Sequence, residues 1–573
     1  MRLAERGYRV TVYEEKSDIG GNLAGYRMNG ARYDVYSHMF GNFYQNFWDL
    51  AERDLGLERG EGADFEPRYT FKVLAKGKFP EYIDLLNVES PWTNLFSGIA
   101  PPAEMFLWAY SLIDGLTYST ADDSILDRVS VEGFLRTRPY ATSQLSELHD
   151  TILMTIWSIH SDDVSAAAYR RFVEHNAPLP RPLVWLLTGD LGTKLMQPLR
   201  NKIEGYGGVI KTNTRVVEIA TQEGTGRPGC HIAALTVRDT RFDEKTGEHH
   251  ALGAERTIDV NHEAGDTVIL AVPPLALSYL ISTGARGKRI VDRLPALSEV
   301  RRLAAEPIPV LNLYLKSKLP NIPKEHVLLR GSSYDLTVLD LSQIWHDDPN
   351  MKYRGRDRTV LCVAASDYYA LPSLRPEEQR ERIIGQLHEY LGVFNAGEKW
   401  GDPASDIDWE KTHFDPNTGR MLFLNTVGGK QWQPETHYPD AISNLFFGGD
   451  SAINPVRMAT VESAVVSGLQ AASGVCSKHM RGKPVEIKSA ETLPLSTLVA
   501  MKALMTPWAY AAKCWSSASG IVPHLASGDV AAARAAMASA TLDLYATPYL
   551  MAADVWQSVV RAGLVYGARA RVR

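Results

Sequence analysis

The sequence has few cysteines and no long apolar run, and each absence excludes a class of protein. Its four cysteines stand far apart and form no CxxC pair, which argues against a disulfide framework or a metal site and predicts reduced thiols: Cys230, Cys362, Cys476 and Cys514. No run of about 18 uncharged apolar residues is present, so no membrane-spanning helix is predicted. The opening residues, MRLAERGYRV, have no apolar core and do not resemble a signal peptide. We therefore expect a cytoplasmic protein without a metal.

An excess of basic residues is also missing. The net charge is −6, from 61 Lys and Arg against 67 Asp and Glu, so the charge does not predict a nucleic-acid partner. Of the 573 residues, 45% are hydrophobic and 22% are charged, which is typical of a globular protein. This length predicts two or three domains.

A glycine-rich phosphate-binding loop is missing where the next motif requires one. Residues 10–22, VTVYEEKSDIGGN, alternate apolar side chains and then present Glu14, followed by Gly20 and Gly21. The second strand of a nucleotide-binding βαβ unit ends in this way, with a carboxylate placed to accept hydrogen bonds from the ribose hydroxyls. A strand and a GxGxxG loop should come first, but residues 1–6 already form the end of the crossover helix. We expect a wrongly assigned start or a truncated copy, in preference to a working protein without the loop.

A second motif, at residues 444–472, has the form of the other half of a flavin site. Its apolar strand ends in Gly449 and Asp450, and a helix rich in small residues follows at residues 458–478. Glu14 and Asp450 would bind the two sugar-derived parts of a flavin nucleotide. Backbone amides at Gly20 and Gly21 and at the helix start near Ala459 would bind its phosphates.

Between these motifs the periodicity changes from helical to extended. Helical periodicity dominates residues 50–190, and the apolar segment 92–116 predicts a pair of core helices, or alternatively the mouth of an apolar substrate tunnel at a membrane surface. Residues 266–274, DTVILAVPP, predict a strand buried on both faces. Strands at 309–315, 326–329, 336–341 and 360–365, with a helix at 376–394, predict a second α/β domain with an antiparallel sheet.

Two further segments leave alternatives open. Residues 30–42 carry His38 and several aromatic side chains, which fit either an aromatic core turn or a loop against a flat cofactor. The last ~90 residues, from Gly482, predict Ala-rich helices that pack on the body, form an oligomer contact or lie in a membrane interface. In the third case Trp508, Trp515 and Trp556 would be the interface anchors.

Four stretches together carry a resemblance to a known family. They are VTVYEEKSDIGGN, YDVYSHMFGNFYQN, DTVILAVPP and NLFFGGDSAINPVRMATVESAVVSGLQAA. The chain resembles the FAD-dependent amine oxidase/phytoene desaturase superfamily over about residues 1–475, and within it the carotenoid and squalene-associated desaturase branch. The final helices are not part of the usual pattern.

The resemblance implies an α/β fold with a Rossmann-like, glutathione-reductase-type FAD-binding domain, an interleaved α+β substrate domain and a C-terminal helical extension. The FAD-binding domain would comprise residues 1–60, 191–300 and 436–480. The helical substrate or cap region would comprise residues 61–190, the substrate-domain sheet and helix residues 301–435, and the extension residues 481–573.

The resemblance also implies FAD as cofactor and assigns residues to it. Glu14 would bind the adenosine ribose, Val216 would contact the adenine through its backbone, and Asp450 would bind the ribityl chain. His38 would face the flavin region as a candidate catalytic residue. The full set of implied cofactor-binding residues is Glu14, Glu15, Lys16, Gly20, Gly21, Asn22, Val216, Gly449, Asp450, Ala459, Val461 and Glu462.

The implied reaction is transfer of a hydride from a hydrophobic, isoprenoid or polyene substrate to flavin N5. The expected partner is therefore a hydrophobic small molecule, with a membrane surface as a further candidate contact and no prediction for the oligomeric state. Two alternatives remain, a flavin amine or amino-acid oxidase on the same fold and a non-catalytic truncated homologue that acts as a scaffold.

Overall fold

A computed structural model describes residues 1–118, 123–224, 229–243, 248–371, 374–392 and 405–572, with backbone alone at 242–243, 248–249, 561–562 and 564–572. The helices are α1 (Arg2–Glu5), α2 (Gln45–Trp48), α3 (Pro102–Leu116), α4 (Asp123–Leu126), α5 (Val131–Arg136), α6 (Ser143–Trp157), α7 (Ala166–Asn176), α8 (Gln197–Gly205), α9 (Pro274–Ser282), α10 (Ile290–Arg293), α11 (Pro376–Leu391), α12 (Val461–His479), α13 (Leu495–Ser519), α14 (Ile521–Ala526) and α15 (Val530–Val572).

The strands alternate with these helices along the chain. They are β1 (Thr11–Tyr13), β2 (Gly25–Met28), β3 (Ala31–Asp34), β4 (Phe65–Arg68), β5 (Phe71–Ala75), β6 (Ile83–Leu85), β7 (Val184–Leu187), β8 (Val209–Lys211), β9 (Thr214–Glu223), β10 (Cys230–Asp243), β11 (Glu248–Asp259), β12 (Val268–Leu270), β13 (Ala305–Glu306), β14 (Val310–Tyr314), β15 (Val327–Arg330), β16 (Leu336–Asp340), β17 (Lys352–Tyr353), β18 (Arg356–Asp357), β19 (Val360–Ala365), β20 (His413–Asp415), β21 (Leu422–Phe423) and β22 (Leu445–Phe447).

Two parallel strand pairs carry the two sequence motifs. Strand β1 pairs with β8, and β12 pairs with β22. The turn before β1 is made by Gly7, whose φ of +77° ends α1 as expected for a glycine stop. Strands β9, β10 and β11 form an adjoining antiparallel sheet. Each motif therefore sits at the carboxyl end of a parallel strand, the edge where such sheets bind ligands.

Strand β12 differs from its prediction. The sequence predicts a strand buried on both faces, but the strand has three residues and Ile269 is 37% exposed. Within the described residues β12 hydrogen-bonds only to β22. The face of the strand that carries Ile269 is therefore open to solvent, and the prolines that follow lead into α9 at Pro274.

The substrate-domain sheet has seven strands in the order β20-β14-β19-β16-β15-β5-β6. All its pairings are antiparallel except β15 with β5, and β14 is buried along its whole length. Helix α11 packs on the sheet through an apolar stripe that includes Ile383 and Leu387. The predicted strands and helix of this sheet are confirmed, with residues 393–394 lying outside the described part of the chain. Strands β5 and β6 lie in a segment whose periodicity predicts helix, so the sequence does not predict them.

Helices α3, α5, α6 and α7 form a helical layer around Tyr110, Tyr140 and Leu145. The predicted pair of core helices at residues 92–116 is wrong in its first half. The 3₁₀ turn Pro91–Phe96 exposes Trp92 to 80%, and only α3 enters the core. Pro102 begins α3 and separates the two, because a proline ring suits the first position of a helix and not a helix interior.

The C-terminal extension packs on α3 through a buried ion cluster. Lys502 of α13 donates to Asp114 of α3 at 2.6 Å and to Asp554 of α15 at 2.7 Å. Arg138 lies 3.5 Å from Asp114, so two cations balance two carboxylates. Helix α13 continues through both Lys502 and Pro507, although neither residue favours the interior of an apolar helix. Lys502 is tolerated inside because its charge is paired on both sides.

The described helices differ from membrane spans in length or in apolar character. Within these parts of the chain none is both long enough and apolar enough to cross a bilayer. All four cysteines are free, and three of them are buried.

Candidate cofactor site

The ribose-binding candidate Glu14 lies directly after β1, in a loop held by backbone pairing. Its N–H donates to the Lys211 carbonyl and its own carbonyl accepts from Thr214, so the loop follows the turn between β8 and β9. Its carboxylate accepts from the Lys16 N–H at 2.9 Å. Burial raises the pKa of the Glu14 carboxyl, and the Lys16 N–H opposes this rise. The carboxylate thus sits in a protected position at the carboxyl edge of the sheet.

Three neighbouring residues that the resemblance assigns to the cofactor have different contacts in the structure. Lys16 is buried, and its Nζ donates to the Gly419 carbonyl at 2.8 Å. Asn22 donates to the Met421 carbonyl at 3.0 Å. Glu15 is more exposed and lies 3.7 Å from Arg215. Residues 419–421 therefore form one wall of the glycine loop.

Gly20 and Gly21 have backbone conformations that favour glycine. Their φ angles are +119° and +60°, and a Cβ on Gly20 would lie 2.7 Å from the sulfur of Met196. Any larger residue at Gly20 would be strained and would also displace Met196. The pair therefore lets the backbone approach a neighbouring group closely.

The second half of the site begins where β22 ends. Gly449 has a φ of +102° and donates its N–H to the Ser467 hydroxyl of α12. Asp450, which follows, is half-buried, and desolvation by the surrounding protein raises its pKa to about 6 against the backbone N–H groups of Asp450 and Ser451. Among the described residues no cation forms an ion pair with it. A desolvated carboxylate without a paired cation is stabilised when hydroxyl groups donate hydrogen bonds to it.

Apolar packing brings the two halves together. Ile19 and Leu23, which flank the glycine pair, pack in the same cluster as Met458 and Val461 at the start of α12. Val216 of β9 packs with Ala459 in a second cluster around the end of β22. The two motifs, more than 400 residues apart in sequence, therefore meet around one region of the fold.

Glu462 binds the start of helix α2, whereas the resemblance assigns it to the cofactor. Its carboxylate is buried and accepts from the Asn46 N–H at 3.0 Å, the Asn46 side chain at 2.7 Å and the Phe47 N–H at 2.9 Å. These donors belong to the first residues of α2, whose N–H groups have no partner within their own helix. Glu462 thus caps α2 from another helix, and its assignment to the cofactor stays a prediction.

We expect Glu462→Ala to lower the free energy of unfolding by about 2 kcal/mol, because it leaves the buried N–H groups of Asn46 and Phe47 without an acceptor. Urea unfolding followed by tryptophan fluorescence measures the change. Glu462→Gln keeps one acceptor oxygen and should lose less, and Glu435→Ala, at an exposed position, should change little. Equal stability of the Glu462→Ala and Glu435→Ala proteins would contradict the capping role.

His38 lies beside the site in a cavity of about 300 Å³ that also contacts Asp34, Leu186 and Trp345. Its Nδ1 is 2.9 Å from the Tyr36 carbonyl, so Nδ1 carries the hydrogen and Nε2 is left as an acceptor. Burial lowers the pKa of His38 to about 4. Its ring is 6.5 Å from that of Phe40, which belongs to the cluster of the glycine loop.

A polar cleft of about 410 Å³ adjoins the start of α12 and contains residues that the sequence analysis does not single out. Asn425 accepts the Ala459 N–H at 3.0 Å, and Arg457 donates to Asp123 at 2.6 Å. Arg457 has a φ of +58°, a strained conformation that clusters at functional sites. No local motif marks these residues, since their partners lie far away in sequence.

These residues fit an FAD nucleotide at both of its ends. The carboxylates of Glu14 and Asp450 could each accept hydrogen bonds from sugar hydroxyls, and the glycine pair leaves room that a Cβ would fill. Among the described residues, β1–β8 and β12–β22 are separate pairs with no strand hydrogen-bonded between them. The expected phosphate donors are therefore backbone N–H groups of the glycine loop, because the Ala459 N–H before α12 already donates to Asn425.

Comparisons with known proteins agree with this geometry. The family described as flavin containing amine oxidoreductase matches residues 1–476. An oxidoreductase from Methanosarcina mazei is 14% identical, with 82% of this chain and 95% of that chain covered and a TM-score of 0.52. This likeness shows a shared fold.

Two other solved structures are more distant. A protein from Pyrococcus furiosus is 14% identical over 84% of this chain and 94% of its own, with a TM-score of 0.48. The amino acid oxidase NikD is 13% identical over 86% and 95%, with a TM-score of 0.34. No curated protein matches the chain.

Proposed function

Because the chain belongs to the family of flavin containing amine oxidoreductases, we propose that it uses FAD to remove a hydride from a hydrophobic substrate of the isoprenoid or polyene class. Membership confirms the superfamily, the α/β fold with an FAD-binding domain, the cofactor and the oxidoreductase activity that the sequence predicts. The substrate class, the desaturase branch and the individual cofactor contacts are the proposed part.

The observation that carries this proposal is an apolar cavity in the helical layer. The space between its wall atoms, open solvent included, is about 410 Å³. Most of the wall is aliphatic or aromatic, with contributions from Leu112, Leu126, Val131, Phe134, Leu135 and Val173. The polar groups in the wall are already satisfied. His149 bonds to Ser111 and Tyr169, and burial lowers its pKa to about 3, so it is neutral. An apolar lining of this kind favours contact with a hydrocarbon group over a polar one.

Helix α7 connects this cavity with the cofactor site. Tyr169, Arg170 and Val173 line the cavity, whereas Ala168 and Arg171 line the polar cleft at the start of α12. These positions lie on two faces of one helix. An apolar chain in the cavity would therefore be separated from the α12 start by the width of a single helix.

FAD, when bound, supplies the hydride acceptor at N5. The chain's own residues would position the substrate and exclude water, since the cluster around Phe40 and Met458 is closed to solvent. His38 offers an unprotonated Nε2 at neutral pH and remains the candidate proton acceptor.

The test begins with the visible spectrum of the purified chain, in which bound flavin gives a yellow absorption band. Anaerobic addition of a polyene or polyprenyl hydrocarbon in micelles should then bleach this band. Val173→Phe, which fills the apolar cavity, should slow bleaching about tenfold or more while FAD stays bound. Val173→Ile, a smaller change at the same position, serves as the control.

Two outcomes would reject parts of the proposal. A folded but colourless protein would favour the non-catalytic scaffold. Bleaching by amines or amino acids, with none by hydrocarbons, would favour an amine or amino-acid oxidase.

The second candidate function, amine or amino-acid oxidation, is favoured by the polar cleft. Charged side chains of both signs line this cleft beside the start of α12: the carboxylates of Asp123 and Asp127 and the cations Arg171, Lys430 and Arg457. A substrate with both an ammonium and a carboxylate group would find partners of both signs. Asp123 already pairs with both arginines, which weakens this candidate relative to the apolar cavity.

A further inference from the structure

The last turn of α7 carries a buried histidine whose ring has unused hydrogen-bonding capacity. His175 is 6% exposed, and neither of its ring nitrogens has a hydrogen-bond partner among the residues that the structure describes. Burial lowers the pKa of this histidine to about 4, so its ring is neutral at pH 7. A neutral imidazole has one N–H donor and one lone pair, and burial without partners destabilises both. These nitrogens therefore add no hydrogen bond to the described fold.

The position of His175 on α7 places it on the side of the helix that faces the start of α12. Ala168, Arg171 and His175 recur at helical spacing, so they share one face of α7. Ala168 and Arg171 line the polar cleft beside the start of α12. Val173, which lines the apolar cavity, lies about 160° away from His175 around the helix. His175 thus extends the cofactor side of α7 by one turn beyond Arg171.

The contacts of the ring agree with this placement. The His175 ring stacks on Phe43, with 5.5 Å between the ring centroids and 15° between the planes. Phe43 belongs to the same apolar cluster as Ile19, beside the glycine pair, and Met458, before α12. The backbone of Val456 also lies close to the ring, without the geometry of a hydrogen bond. His175 therefore lies where the helical layer meets both halves of the candidate cofactor site.

The flavin ring offers polar atoms that match a neutral imidazole. Its pyrimidine part has two carbonyl oxygens with an N–H between them, so a histidine is able to bind it as donor or as acceptor. A hydrocarbon substrate has no such groups, and an ordered water is the competing partner. Location favours the flavin. Asp450 and Val456 lie in the same loop between β22 and α12, and the ribityl chain assigned to Asp450 is joined directly to the flavin ring.

We propose that His175 is a cofactor-binding residue that hydrogen-bonds the isoalloxazine ring of FAD. This inference rests on the proposed function, because it needs FAD in the site. It assigns the two ends of the cofactor to different parts of the fold, with Glu14 at the adenosine end and α7 of the helical layer at the ring end. Bound FAD would therefore hold the helical layer against the FAD-binding domain.

The test replaces His175 with phenylalanine, which keeps a ring against Phe43 and removes both nitrogens. In the apoprotein His175→Phe should raise the melting temperature, because a buried donor and a buried acceptor without partners are removed. In titrations with FAD followed by flavin fluorescence, the same variant should bind about 2–10-fold more weakly, because the holoprotein loses a hydrogen bond. His175→Gln keeps a donor and an acceptor and should recover part of the affinity.

ADP-ribose, which has the adenosine and diphosphate of FAD but no flavin ring, localises the effect. Its affinity, measured by displacement of FAD, should be equal in His175→Phe and the wild type, whereas Glu14→Gln should weaken both ligands. His326→Phe is the matched control. His326 is 5% exposed and its Nδ1 also lacks a partner within the described part of the chain, but its ring packs against Phe71 of the substrate-domain sheet. This control should bind FAD like the wild type.

Several results would overturn the proposal. Unchanged FAD affinity in His175→Phe would assign the nitrogens to ordered water, and equal losses in His175→Phe and His175→Gln would exclude a hydrogen bond to the flavin. An equal loss of affinity for FAD and ADP-ribose, or a lower melting temperature of the apoprotein, would show that the residue supports the fold instead. The proposed function survives each of these results, whereas a wild-type chain that does not bind FAD would reject both.

Discussion

Replacing Lys502 with methionine should lower the free energy of unfolding by about 3–5 kcal/mol, the cost of removing one partner from a buried ion pair. Lys502 is 1% exposed and bonds to two carboxylates, Asp114 and Asp554. Methionine fills a similar volume but leaves the two carboxylates with the single cation Arg138 nearby. Tryptophan fluorescence during urea unfolding measures the loss, and limited trypsin digestion should release the extension at lower denaturant.

A double variant and a surface control separate charge from packing. Lys502→Met with Asp554→Asn leaves Asp114 and Arg138 as a balanced pair and should recover part of the stability. Lys488→Met breaks a pair with Asp49 that is 42% exposed on the lysine side, so the expected loss is below about 1 kcal/mol. Equal losses for Lys502→Met and Lys488→Met would contradict the buried-cluster account.

Asp450→Asn should weaken FAD binding about 10–150-fold, because a charged hydrogen bond to the ribityl chain contributes about 1.5–3 kcal/mol. Fluorescence titration of the apoprotein with FAD measures the affinity. Asp440→Asn, at an exposed position shortly before β22, serves as the control and should bind FAD like the wild type. Unchanged affinity in Asp450→Asn would remove this residue from the site.

The same variant should make the apoprotein more stable at neutral pH. Burial raises the pKa of Asp450 to about 6 from 3.8, so the folded apoprotein holds this proton more tightly than the unfolded chain. The stability from this carboxyl is fully present below pH 3.8 and is lost as the pH rises through 6. Asparagine is neutral throughout, so the melting temperature of Asp450→Asn should exceed that of the wild type at pH 7 and match it below pH 4. Equal melting temperatures at pH 7 would contradict the burial of a charged carboxylate.

The regular elements of the substrate domain could be predicted because each is a local pattern. Strands β14, β16 and β19 are short apolar runs bounded by polar or turn residues, and α11 has an apolar stripe. Strands β5 and β6 could not, since β5 joins the sheet by pairing with the distant β15, and β6 joins it only through β5. The two-sided burial expected for β12 was wrong for a related reason. An apolar run does not reveal which elements pack on each face of the strand.

The sequence by itself determined the two motifs and their order. It also determined the carboxylates Glu14 and Asp450 that follow their strands, because the strand and its acidic residue are close together in the sequence. Tertiary structure decided what long side chains contact. It turned Glu462 toward α2, buried Lys502 between α3 and α15, and left Trp508 and Trp556 on the outside. Each of these outcomes depends on groups about 50 to 400 residues away, and the free energy of burying a charge or an aromatic ring depends on those groups.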